Sequence, residues 1–190
     1  MLNRAEVLQA ILDKPLDYLH PHRGVLPVMF DNPSARTALN QMLLRKLGLA
    51  STDPHQLERN FWTEQWIKNW SLLPSVARLM GAQLLWPQLA KGARMFQLEP
   101  QLRAFARVDL GHRAPGSVSD KDGLDQSIAA LGLGALLAWD SHIPQALMER
   151  MLLQFAPAVV TLEQSLQAQK PNSSLFILAV QHARIHQNAD

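Results

Sequence analysis

Apolar residues along this chain recur at spacings of three and four, and few runs alternate as strands do, so the pattern predicts helices nearly throughout. Val7, Leu8, Ile11 and Leu12 form the buried stripe of a first short helix, opened by Asn3 and Glu6 as a capping box and ending before Pro15. Residues 15–33 hold four prolines and one glycine and read as an ordered, irregular connection. Asn32 and Pro33 then supply an N-cap and a first-turn proline for a helix carrying Ala35, Leu39, Met42, Leu43 and Leu47, which Gly48 stops. Asp53 and Pro54 repeat that start signal for a third helix. In it Trp62, Trp66 and Trp70 follow one another every four residues beside Leu57, Phe61 and Ile67, so this helix is expected at the centre of the core.

Pro74, Pro87 and Pro100 stand thirteen residues apart, and each can occupy the first turn of a new helix. Three consecutive short helices are expected, with apolar sets Val76, Leu79, Met80 and Leu84, then Leu89, Ala93 and Phe96, then Leu102, Phe105 and Ala106. They share little beyond proline and are not read as a repeat. Residues 111–123 (GHRAPGSVSDKDG) lack a buried-face pattern and predict an exposed, mobile loop. Further helices are expected over 124–140, 144–155, 157–168 and 174–187. The fold class is all-α: a compact bundle of about eight to ten short, proline-punctuated helices forming a single helical domain over 1–190.

Composition narrows the function classes. Of 190 residues 47% are apolar, which is ordinary for a chain that builds a core. There is no cysteine, so disulfides, thiolate metal sites and cysteine nucleophiles are excluded, and the reading is a cytoplasmic protein. Glu6 and Asp13 interrupt the N-terminal apolar positions, so no signal-peptide core is expected there. The longest apolar stretch, 128–139, is too short for a membrane span and contains Gly132 and Gly134. Net charge is +2 but uneven: residues 36–113 carry eleven basic and five acidic side chains, and residues from 114 onward carry four and seven. That asymmetry favours an acidic partner for the first stretch or attraction between the two halves.

Candidate chemistry is sparse. His182 and His186 lie one helical turn apart and can present two imidazoles to a metal, yet the glutamate of a metalloprotease motif is missing, and surface residues are the expected outcome. His20 and His22 flank Pro21, with the cation Arg23 beside them opposing a metal, so a proline-stiffened turn is expected. Gly132 and Gly134 lack a preceding strand and a third glycine, which favours close helix packing over a dinucleotide loop. No nucleophile elbow or phosphate loop occurs, and Asp120, Asp122 and Asp125 lack the other ligands of a calcium loop. The reading is therefore no enzyme, no cofactor and no metal. Arg94, Arg103 and Arg107, with Lys91, are the expected contact for an acidic protein, and residues 117–125 for a second partner. The charge is too dilute for nucleic acid, although a small helical nucleic-acid-binding module is the alternative.

Two stretches carry more specific information: residues 15–23 (PLDYLHPHR) and 66–81 (WIKNWSLLPSVARLMG). Together they resemble the OrgA/MxiK branch of the SctK family, accessory proteins of the cytoplasmic sorting platform of bacterial type III secretion systems. Residues 177–183 (ILAVQHA) resemble the terminal helix of that family more weakly. The resemblance implies an assembly adaptor at the cytoplasmic face of the inner membrane. Such a protein joins the cytoplasmic domain of the inner-membrane ring protein to the main platform protein, which carries the ATPase and queues substrates. It also implies that the motif residues Pro15, Tyr18, His20, Pro21, Arg23, Trp66, Trp70, Pro74 and Gly81 serve the fold rather than a reaction.

Overall fold

A computed structural model describes residues 4–49, 53–54, 57–58, 60–91, 94–110 and 123–187. Among them are nine α-helices and no strand: α1 (Arg4–Asp13), α2 (Pro33–Lys46), α3 (Phe61–Lys68), α4 (Leu73–Leu89), α5 (Pro100–Ala106), α6 (Leu124–Leu137), α7 (Gln145–Met151), α8 (Pro157–Glu163) and α9 (Ser173–Gln187). The all-α expectation holds, and the irregular connection between α1 and α2 consists of three short 3₁₀ turns, Pro15–Asp17, Pro21–Arg23 and Val28–Phe30. Asn3 of the expected capping box and the expected loop at 111–122 lie outside the described residues. The chain forms two compact units, Met1–Ser71 with Asp140–Pro157, and Leu72–Trp139 with Ala158–Asp190.

In the first unit α1 buries Leu8, Ile11 and Leu12, and it packs against α7 and α2. Trp66 is fully buried on α3, and Trp70 is buried in the 3₁₀ turn that follows. Burying such side chains contributes roughly 1.5–3 kcal/mol each relative to exposure, which offsets the ordering of so short a set of helices. Asn32 caps α2 as the sequence predicts, its Oδ1 accepting from the Ala35 amide at 2.9 Å, and Gly48 stops the helix with φ of +66°. The helical stripe of α2 is not buried, however. Leu39 and Leu43 are half-buried and Met42 and Leu47 are exposed, and the one buried residue of the helix is Asn40, whose Oδ1 accepts from the Leu16 amide at 2.9 Å. That bond holds α2 by its polar side.

The third helix begins later than Asp53 and Pro54 predict. Asn60 sets its start with both ends of its amide: Oδ1 accepts from the Thr63 amide at 2.9 Å, while Nδ2 donates to the His142 carbonyl at 2.6 Å. A start at Phe61 leaves Phe61 exposed and Trp62 half-buried, so only Trp66, Ile67 and Trp70 of the expected cluster enter the core.

In the second unit α4 is the central helix and packs on α5, α6 and α9. Its contact with α6 is backbone against backbone. A Cβ on Gly81 would stand 1.9 Å from the Ile128 carbonyl oxygen, and one on Gly132 would stand 1.8 Å from that of Ala77. No side chain fits at either point, so both glycines are required by close approach. Around the crossing Val76, Ala77, Met80, Ile128, Leu133 and Leu136 are fully buried. On α9, Leu175, Phe176, Ala179, Val180 and Ala183 form a buried stripe at helical spacing, with Phe176 against Trp139 at 5.8 Å between ring centroids.

Pro74 and Pro100 open α4 and α5 as expected, but Pro87 opens nothing and lies inside the last turns of α4. An interior proline costs about 3 kcal/mol. The buried stripe of α4 runs on through Leu84 and Leu85 to Leu89, which is fully buried, and that burial keeps the helix intact past the proline. Of the separate helix expected around Leu89, Ala93 and Phe96, Leu89 belongs to the end of α4, Ala93 lies outside the described residues, and Phe96 is 69% exposed in a 3₁₀ turn, Arg94–Gln97.

Candidate protein-binding site

The first motif stretch is bonded to its surroundings at several side-chain and backbone atoms. Pro15 is buried and starts the first 3₁₀ turn; the Tyr18 hydroxyl donates to the Ile11 carbonyl at 2.7 Å, and its ring meets that of Trp70 edge-on at 5.4 Å. Burial pushes the Tyr18 phenol well above its ordinary range, so it remains a neutral donor. The His20 amide donates to the Leu153 carbonyl at 2.9 Å, and its Nδ1 accepts from the His22 amide at 3.1 Å, which caps the turn begun by Pro21. Burial lowers the His20 pKa, and His22 and Arg23 lower it further, so a neutral imidazole suits this acceptor role. Arg23 donates from Nε to the Phe155 carbonyl at 2.8 Å and from Nη2 to the Leu152 carbonyl at 3.0 Å. Arg150, 1% exposed, does the same in the other direction, giving Nε to the Leu12 carbonyl at 2.9 Å and Nη1 to that of Ala146 at 3.0 Å.

In the second motif stretch Trp66 and Trp70 belong to the core of the first unit, while Pro74 in the first turn of α4 and Gly81 at its crossing with α6 belong to the second. None of these residues presents a reactive group to solvent.

The three arginines expected to form a patch lie close together in the second unit. Arg103, on α5, donates Nη2 to the Leu98 carbonyl at 2.9 Å and places its guanidinium 5.6 Å from the centre of the Phe96 ring. Arg107, one turn on, stands 5.9 Å from the centre of the Trp86 ring and 3.8 Å from the Met95 sulfur. Arg94 opens the same 3₁₀ turn that supplies Met95 and Phe96. The cations are legible in the sequence and the aromatic faces beneath them are not: apolar spacing predicts Phe96 in the core, and Trp86 is twenty-one residues from Arg107. Arginine and exposed aromatics together are the residue types enriched where proteins meet. Of the second expected contact, residues 117–122 lie outside the described residues; Asp125, on α6, pairs with Arg78 at 3.5 Å.

His182 and His186 are neighbours on α9, with ring centroids 4.5 Å apart and His182 against Phe105 at 5.2 Å. Among the described residues no cluster of three or more His, Cys, Asp or Glu side chains could hold a metal ion. No described helix is long and apolar enough to cross a membrane.

Comparison with known proteins gives the family. Residues 8–185 match the profile of a bacterial type III secretion apparatus protein family, OrgA_MxiK. The oxygen-regulated invasion protein OrgA from Salmonella typhimurium strains 14028s, SL1344 and LT2 is 30% identical over 183 residues, covering 96% of this chain and 89% of the relative. No solved structure matches the chain. With nearly its whole length matched both ways, the chain belongs to the OrgA_MxiK family of bacterial type III secretion apparatus proteins.

Proposed function

We propose that this chain is a non-catalytic assembly adaptor of a bacterial type III secretion system. It links the cytoplasmic domain of the inner-membrane ring protein to the sorting platform that carries the ATPase and queues substrates. It sits at the cytoplasmic face of the inner membrane through protein contacts alone. The observation that carries this reading is the family match over residues 8–185. The surface chemistry supports it: Arg103 and Arg107, backed by Phe96 and Trp86, suit an acidic protein face, since guanidinium groups pair bidentately with carboxylates. In this reading the motif residues from Pro15 to Arg23, together with Trp66, Trp70, Pro74 and Gly81, are fold determinants.

Titration of the full chain, by calorimetry at moderate salt, against the cytoplasmic domain of the ring protein and against the main platform protein tests the reading. Saturable binding to both is expected, with Arg103→Glu and Arg107→Glu together weakening one of the two by about tenfold or more. Failure of a folded sample to bind either protein would remove the adaptor assignment.

A further inference from the structure

We propose that the groove between residues 24–30 and α2 receives a short amphipathic helix of another protein, apolar on one side and acidic along its edge. The proposal rests on the adaptor reading and adds a surface to it. Of the eleven large apolar residues exposed among the described residues, Val25, Phe30 and Met42 line this groove, with Val25 78% exposed and Met42 63%, and Val28, Met29 and Leu47 belong to the same two segments outside its lining. Single exposed apolar residues are ordinary, but contiguous ones mark places where another molecule binds.

The region is concave. Leu16, Leu19, Leu26 and Phe30 face Leu39, Met42 and Leu43 of α2 across a hollow of about 380 Å³. The two faces of α2 account for it. Asn40 and its neighbours Arg36 and Thr37 line a second hollow on the other side, which leaves Leu39, Met42 and Leu43 turned to the groove, Met42 exposed and the two leucines half-buried. A groove of this kind fits side chains spaced three and four apart on a partner helix.

Charge selects the partner. Among the described residues two charged side chains line the groove, Arg23 and Lys46, and both are cations. The nearby acids Asp17 and Asp31 are outside the groove and are both held by Arg36, at 2.6 and 2.9 Å. Lys46 has no ion-pair partner among the described residues. A second copy of this chain, meeting the patch with the same patch, would set these cations against each other, which disfavours self-association here.

The test uses the full chain. A photo-crosslinking residue placed at Met42, and separately at Val25, is activated in bacteria that assemble the secretion apparatus, and the joined peptide is read by mass spectrometry. The expected product is one segment of another apparatus protein, helical in its apolar spacing and richer in Asp and Glu than in Lys and Arg. A product with a second copy, with lipid or with a basic segment would overturn the proposal, as would no product. In parallel, Met42→Glu and Lys46→Glu, both at exposed positions, are titrated against the ring-protein domain and the platform protein. A loss of about tenfold or more toward one of them, with an unchanged melting temperature, is expected. Wild-type binding with both variants unaffected would overturn the groove alone; wild-type binding to neither would remove the adaptor reading, and this proposal with it.

Discussion

The most prominent contacts inside each of the two units differ. In the second, α4 and α6 touch backbone to backbone at Gly81 and Gly132, and apolar side chains close around the crossing. In the first, side-chain bonds to backbone carbonyls join separate segments: Tyr18 to Ile11, Arg23 to Leu152 and Phe155, Arg150 to Leu12 and Asn60 to His142, a device the second unit also uses at Gln83 to Val108 and Gln169 to Leu131. Such bonds satisfy carbonyls at helix ends and in 3₁₀ turns that a helical ladder cannot reach. A chain segment tied down by its polar atoms is free to leave apolar side chains facing outward, and that is where Val28, Met29 and Met42 are found.

Replacing the largest buried ring breaks the first unit most severely. Trp66→Ala is expected to cost about 3–5 kcal/mol, because the indole is fully buried on α3; a melting temperature left unchanged would contradict its place in the core. Gly132→Ala attacks the second unit at its closest contact. Its Cβ cannot coexist with the Ala77 carbonyl, so α4 and α6 must part, at a cost of about 1–3 kcal/mol for overpacking, with loss of hydrogen-exchange protection along both helices. Arg23→Gln removes two charge-assisted bonds to carbonyls and is expected to lower stability by about 1.5–3 kcal/mol. Tyr18→Phe keeps the ring against Trp70, loses one bond, and should cost about 1 kcal/mol.

The smallest effects are those of pH. Burial, and then His186, lower the His182 pKa below 6.5, so on acidification the unfolded chain takes up the proton first. Stability then falls from about pH 6.5 down to the folded-state value and levels off below it. Burial raises the Glu163 pKa above 4.5, so there the folded chain protonates first, and stability rises as pH falls from the folded-state value toward 4.5. His182→Gln should therefore flatten the acid loss, and Glu163→Gln should deepen it. Denaturant titrations between neutral and mildly acidic pH read both signs.

The contrast between the units also decides what the sequence could tell. Apolar periodicity and capping chemistry are local, so the stripes of α4 and α9, the Asn32 cap of α2 and the stop at Gly48 were all readable. Pro87 misled because a proline's local cost is visible in sequence, whereas the burial of Leu89 that outweighs it is not. The start of α3 depends on a bond from Asn60 to a carbonyl eighty-two residues away, and the groove beside α2 depends on Asn40 rather than Leu39 facing inward. The arginines of the second unit were legible as charge, but the rings beneath them come from separate elements, so no spacing rule could pair them.

The measurement that bears most directly on the account is whether this chain holds both partners at once. The ring-protein domain, the main platform protein and the full chain are mixed and their complexes weighed in solution, with each pair measured alone. A complex containing all three proteins is expected, one that does not form when this chain is left out. Two partners that displace one another, or that join equally well without it, would contradict the adaptor role.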